Sequence, residues 1–190
     1  MLSAVATGLM FLDFPVPFMP SFIKLDISEL PALIAGFAYG PISGVCVCLI
    51  KNLFNLLRTS TGGVGELCNF LLGVFLVVPA SLVYKFKKER SGAVIGSLVG
   101  ALSMALLSLP LNYYVTYPIY SNFMPVEAIV SAYNEIASGI FHYNGEMNGL
   151  FQCLLIFNVP FTFLKGLIDA VICFFIYKPL SPTLHGRKRQ

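Results

Sequence analysis

The sequence predicts an all-α, polytopic membrane protein built as a six-transmembrane-helix bundle, and three observations lead there. The chain is 57% hydrophobic. Only 11% of its residues are charged, whereas a soluble domain carries about 25% to cover its surface. The apolar residues form long runs punctuated by Pro, Gly and polar clusters, and mean hydropathy is +0.81. Lipid is the solvent such a chain needs. The 190 residues are expected to form one integral membrane domain, residues 1–190, with no soluble module between the runs.

Read against the roughly 20 apolar residues that a span requires, the runs occupy residues 1–14, 27–39, 42–57, 65–84, 92–117 and 150–177. The first is short for a helix rising about 1.5 Å per residue, and a missing upstream turn is the favoured explanation over a stunted helix. It has no basic leader and no small-x-small cleavage site, so it does not read as a signal peptide. In the third run Lys51, Asn55 and Arg58 share a face, with Arg58 able to snorkel outward and the deeper Lys51 in need of a partner. The fourth begins after Thr61-Gly62-Gly63, and Glu66 and Asn69 lie three apart at its start. Glu66 suits a helix N-terminus, and an ion pair to Lys51 or Arg58 stands beside a ligand role for it.

Cations orient the bundle. Lys85, Lys87, Lys88 and Arg90 follow the fourth run, and Lys178, Arg187, Lys188 and Arg189 follow the sixth, so both places are expected in the cytoplasm. Six spans then put the N-terminus inside as well, in a multi-pass protein of the cell membrane. Residues 15–26, the Thr59–Gly63 turn and the long connection 118–148 face outward. Seven of the nine acidic residues fall in or beside those external stretches or at helix ends. The exceptions are Glu89 and Asp169.

The sixth run carries the most informative pattern. Asn158, Thr162, Lys165 and Asp169 are spaced four, three and four apart and share one helix face. A lysine at mid-membrane costs about 3 kcal/mol or more unless partnered, so such a stripe faces the bundle interior or a cavity. A mutual Lys165–Asp169 pair is the competing explanation, but it leaves Asn158 and Thr162 unused. Pro160 also frees the carbonyl of Ile156. In the fifth run Pro110 frees the carbonyl of Leu106, and Asn112, Tyr113, Tyr114, Thr116, Tyr117 and Tyr120 follow. An interfacial aromatic belt accounts for part of that cluster. Asn112 points instead to an outward-opening cavity with aromatic walls and a few polar groups that orient a ligand.

Other chemistries find no support. Cys46, Cys48, Cys68, Cys153 and Cys173 lie in apolar runs and read as small hydrophobic filler, with neither a disulfide framework nor a zinc site. His142 and His185 belong to no metal or nucleophile motif, and Thr61-Gly62-Gly63-Val64-Gly65-Glu66 lacks the Gly-Lys-Ser/Thr of a P-loop. No catalytic residue, cofactor or metal is expected. Nor is nucleic acid, because basic residues are not interleaved with aromatics.

Lys24-Leu25-Asp26-Ile27-Ser28-Glu29-Leu30-Pro31-Ala32-Leu33-Ile34, with Ile50-Lys51-Asn52-Leu53, Thr61-Gly62-Gly63-Val64-Gly65-Glu66-Leu67, Asn112-Tyr113-Tyr114 and the stretch from Phe161 to Gly166, resembles the riboflavin-specific S components of energy-coupling factor (ECF) transporters. The resemblance covers essentially the whole chain. It implies a six-helix membrane subunit, not an enzyme, that captures riboflavin from outside. Its partners would be a transmembrane coupling protein, two cytoplasmic ATPases and membrane lipid. It further implies flavin contacts at Asn112, Thr162 and Lys165, with loop 15–26, and hence Phe18, Phe22 and Lys24, as part of the site and its lid. Thr162 stands where members often carry Asn. A small-xxx-small contact with the coupling protein would fall on Ala4 and Gly8, Gly8 replacing an alanine.

Riboflavin is neutral, with a flat tricyclic ring, two carbonyls, an imide N–H and a ribityl polyol. Its carbonyls need donors, which Lys165, Asn112 and Thr162 supply, with Asn158 on the same stripe. Asp169, Glu66 and Lys51 are expected to stand behind these direct contacts. Two alternatives remain. One is an S component for another vitamin, such as thiamin or folate, whose sites tend to use tryptophan stacking or cationic clusters; this chain has no tryptophan. The other is an integral membrane enzyme doing proton chemistry with Lys165, Asp169 and Glu66.

Overall fold

The computed structural model describes residues 1–20, 23–59, 61–122, 125–142, 147 and 149–184, with backbone alone at Phe141 and 177–184. It is helical apart from one two-residue ladder. In chain order the elements are α1 (Leu2–Phe11), β1 (Phe14–Pro15), β2 (Lys24–Leu25), α2 (Glu29–Tyr39), α3 (Pro41–Asn55), α4 (Val64–Phe86), α5 (Arg90–Leu111), α6 (Tyr117–Tyr120), α7 (Val126–Phe141), α8 (Leu150–Cys153) and α9 (Val159–Leu184). A 3₁₀ turn, Leu56–Arg58, extends α3. Two π-helical turns, Asn112–Thr116 and Leu154–Asn158, join α5 to α6 and α8 to α9. Among the described residues, four continuous helical stretches are long and apolar enough to cross a membrane: Pro41–Arg58, Val64–Phe86, Arg90–Tyr120 and Leu150–Ile176. The apolar helices α1 and α2 are shorter, at 10 and 11 residues.

Small residues let these helices approach closely. A Cβ on Gly96 of α5 would lie 2.6 Å from the Ala80 carbonyl of α4, and one on Gly166 of α9 would lie 2.7 Å from the Ala101 Cβ of α5. Lipid tails are as apolar as leucine, so van der Waals contact at such close crossings holds membrane helices together. Buried Leu33, Val47, Leu76, Val77, Ala101 and Met104 form the main core between α2, α3, α4 and α5. Where α2 turns into α3, Gly40 takes φ 97° and Pro41 opens the next helix. The positive φ is one that glycine adopts without steric cost.

At the far end of the bundle from this turn, loop 16–23 is closed by the antiparallel ladder Phe14↔Leu25 and Pro15↔Lys24. A Lys24–Asp13 ion pair of 2.9 Å clips its base. Val16 and Met19 are buried with Tyr117, Ile129, Tyr133, Ala137, Phe157 and Phe161 in a second apolar cluster. One wall of that cluster is α7, through Ile129, Tyr133 and Ala137. Residues 118–148 are more than the plain connection expected from the sequence: Ile129, Tyr133 and Ala137 recur every four residues and give the helix its buried stripe.

Pro110 and Pro160 both lie inside continuous helices. The helix runs through Pro110 and widens into the π-turn that follows, and a second π-turn ends two residues before Pro160. A π-turn adds a residue to the ring and re-aims the side chains it carries. That effect shapes the site.

Candidate functional site

A cavity of about 240 Å³ opens at the loop end of the bundle, between α1, loop 16–26, α3, α4, α5, α6 and α9. Two asparagines enter it from the two π-turns. Asn112 begins the first and Asn158 ends the second, and both are 5% exposed. One α-helical turn below Asn158, Thr162 is buried and lines the same cavity. The side chains of Asn158 and Thr162 make no hydrogen bond to protein among the described residues, and both line the cavity. Buried polar groups normally find partners. Here the partner must come from the cavity.

Lys165 lies one turn deeper. Its ammonium is 3.0 Å from Asp26 Oδ2, 3.2 Å from Glu29 Oε2 and 3.4 Å from Asn69 Oδ1. Glu29 bridges onward, its Oε1 accepting from Lys51 at 2.8 Å. Ser28 ties the group together: Lys51 donates to its hydroxyl, which donates to Asp26, and its backbone N–H reaches Asp26 Oδ1 at 2.9 Å. Two lysines face two carboxylates in this network, and that balance makes a charged core tolerable at membrane depth. Burial opposes the Asp26 carboxylate, but Lys165, Lys51 and the two bonds from Ser28 outweigh it and hold it well below the usual carboxylate range.

This network uses neither of two pairings that the sequence left open as alternatives. Asp169 is wholly buried on the same face as Lys165, but neither of its oxygens has a hydrogen-bond partner, and the charge beside Lys165 comes from Asp26 and Glu29. Lys51 pairs with Glu29 and not Glu66. Glu66 instead accepts from Asn55 at 3.1 Å, Thr59 at 2.9 Å and Thr61 at 3.2 Å. It organises the turn in which Gly63, at φ 90°, caps α4. Arg58 stacks 4.7 Å over the ring of Phe11 at the cavity mouth.

Placement of the other candidates is mixed. Lys24, Glu66, Thr116, Tyr117 and Tyr120 line the cavity, whereas Tyr114 is 73% exposed on the outer face of the π-turn. Position within one helical segment thus separates the aromatic belt from the site. Phe18 does not line the polar cavity. It lies edge-on to Phe161 at 6.4 Å and faces a neighbouring apolar cavity of about 440 Å³, with Phe161 forming a wall of both. Phe22 lies outside the described residues. Ala4 and Gly8 are exposed on α1, and a Cβ added at Gly8 would meet nothing within 4 Å.

Several residues of the site have no individual role in the sequence pattern. Asp26 and Glu29 were visible as carboxylates flanking Ser28 at the entrance to an apolar helix, an expensive place for charge. Asn69 was seen only as a neighbour of Glu66, and Cys68 was counted as filler. Cys68 lines the cavity, its Sγ 3.4 Å from Asn112 Oδ1.

Residues 1–177 match the family model described as ECF transporter, substrate-specific component. The chain is 32% identical over 184 residues to the riboflavin transporter RibU of Staphylococcus aureus (strain TCH60), covering 97% of this chain and 88% of that protein. It is 30% identical over 193 residues to the riboflavin transporter FmnP of Bacillus subtilis (strain 168), covering 99% and 92%. A solved structure described as "Structure and mechanism of the S component of a bacterial ECF transporter" superposes with a TM-score of 0.72 at 31% identity, over 100% of this chain and 94% of that one.

Proposed function

The chain belongs to the substrate-specific components of ECF transporters, and from that premise we propose how it binds its substrate. It is a riboflavin-binding membrane subunit and not an enzyme. One observation carries the site: Asn112, Asn158 and Thr162 are buried, line one cavity and leave hydrogen-bonding capacity unused by protein. An aromatic-walled cavity with a few unspent donors suits a flat heterocycle bearing carbonyls. The flavin ring enters between the Tyr117–Tyr120 wall and Phe161, its carbonyl edge toward Asn112, Thr162 and Lys165.

Lysine has three N–H donors, and Lys165 gives two of them to Asp26 and Asn69, with Glu29 Oε2 in ion-pair range at 3.2 Å. The bond to Asn69 is the longest, at 3.4 Å, so it is the one a flavin oxygen replaces. Asp26 and Glu29 keep the ammonium aimed, and Lys51 holds Glu29 from behind. Lys24, Phe18 and the rest of loop 15–26 close over the ring, with Phe22 in the same segment.

The assembly follows from the same reading. Six helices cross the cell membrane in a single domain of residues 1–190, with α1 and α2 as the short members and both termini cytoplasmic. The subunit delivers riboflavin with a transmembrane coupling protein and two cytoplasmic ATPases. Exposed Ala4 and Gly8 supply the flat, small surface on α1 that close helix approach needs. The decisive experiment is the absorption spectrum of detergent-purified protein together with titration of riboflavin fluorescence. A flavin spectrum or saturable quenching is expected; a colourless preparation that never quenches would overturn the substrate.

A further inference from the structure

We propose that Cys68 is a positioning residue for the ligand: its thiol donates to Oδ1 of Asn112 and so turns the Asn112 amide N–H group into the cavity, toward a carbonyl oxygen of the flavin. The proposal rests on the riboflavin reading above and deepens it.

Three observations support it. Cys68 Sγ lies 3.4 Å from Asn112 Oδ1, joining α4 to the π-turn. Both residues line the cavity, and Asn112 is 5% exposed with no other side-chain hydrogen bond among the described residues. The amide nitrogen is therefore an unspent buried donor at the ligand's place. Finally, a carboxamide presents an oxygen acceptor on one side and an NH₂ donor on the other, while a thiol donates and accepts only weakly. Here the thiol donates to Oδ1, which holds the oxygen on that side and leaves the NH₂ for the cavity. Without it, nothing in the described structure prevents the amide from turning over and presenting an acceptor to a ligand acceptor.

The neighbouring residue does parallel work. Asn69 Oδ1 accepts from Lys165 at 3.4 Å, the bond a flavin oxygen replaces. Consecutive residues of α4 thus contact two donors of the cavity, Asn112 and Lys165. The pair is suited to a ligand edge with two carbonyls and disfavours an analogue that places an amino group at either position.

The test is a riboflavin quenching titration of the full-length detergent-solubilised protein as wild type, Cys68→Ala, Cys68→Ser, Asn112→Ala and the Cys68→Ala/Asn112→Ala double variant. Cys68→Ala should bind about tenfold more weakly, the order of one lost hydrogen bond, with the melting temperature of the ligand-free protein unchanged. Cys68→Ser, whose hydroxyl also donates, should restore most of that loss. Thr116 also neighbours the thiol, and the double variant distinguishes the two routes: if Cys68 acts through Asn112, adding Cys68→Ala to Asn112→Ala costs nothing further. Wild-type affinity in Cys68→Ala, failure of serine to rescue, or multiplying effects in the double variant would each overturn the proposal. Absence of quenching by the wild type would instead overturn the riboflavin reading, and this inference with it.

Discussion

The Lys165 ammonium lies 3.0 Å from the carboxylate of Asp26, a residue 139 positions earlier in the chain. This contact joins loop 16–26 to the last long helix at the floor of the cavity. It gives Lys165 two duties, holding the loop and meeting the ligand, and variants separate them.

Lys165→Met keeps the length of the side chain and removes its charge, leaving Asp26 and Glu29 facing each other with only Lys51 in support. Breaking a buried ion pair by removing one partner costs about 3–5 kcal/mol. Lys165→Met should therefore lower the melting temperature of ligand-free protein as well as riboflavin affinity. A variant that loses neither would remove Lys165 from the site.

Asn158→Leu and Thr162→Val should behave differently. Their polar atoms have no protein partners to lose, so thermal stability without ligand should hold or rise. Riboflavin affinity should fall by about 1–3 kcal/mol for each contact removed. Paired melting and quenching titrations measure the two quantities, and a loss of stability without loss of affinity would contradict the assignment.

Gly8→Leu tests the surface on α1. A Cβ there meets nothing within 4 Å and the position is exposed, so riboflavin binding by the isolated subunit should be unchanged. ATP-driven uptake in vesicles containing the coupling protein and ATPases should fall by at least about tenfold if close small-residue packing forms that contact. Full uptake with Gly8→Leu would move the contact elsewhere.

Acid should act through Asp26. Its carboxyl titrates below the ordinary range because Lys165, Lys51 and Ser28 favour the ionised form over the opposing effect of burial. A carboxylate depressed on folding contributes stability above its unfolded value of about 3.9, and that contribution is lost as pH falls through the folded value. Melting temperature should thus be insensitive to Asp26 between pH 5 and 8 and should decline below pH 4. Asp26→Asn should lower stability at neutral pH and flatten that acid limb; an identical acid limb in the variant would place the titration on another group.

Much of the site was legible because helix spacing is a local property. Asn158, Thr162, Lys165 and Asp169 share a face whatever surrounds them, and all four are buried. Asn112 was marked by its cost in lipid. The helical stripe of α7 was also legible in Ile129, Tyr133 and Ala137, but its polar flanks let it pass for a connection. Cys68 was invisible, since a thiol in an apolar run carries no sign of whether it faces core, lipid or ligand.

From composition and periodicity alone the chain determined its solvent, its long helices and the residues too polar to face lipid. Those follow from transfer free energy and the 3.6-residue turn, which need no knowledge of distant residues. Only the tertiary structure decided that Lys165 answers to Asp26 and Glu29 rather than Asp169, that Glu66 organises a turn rather than pairing with Lys51, and that two π-turns aim Asn112 and Asn158 into one cavity. A buried charge takes whichever counter-charge the packing brings within bonding distance. Sequence separation does not encode that distance.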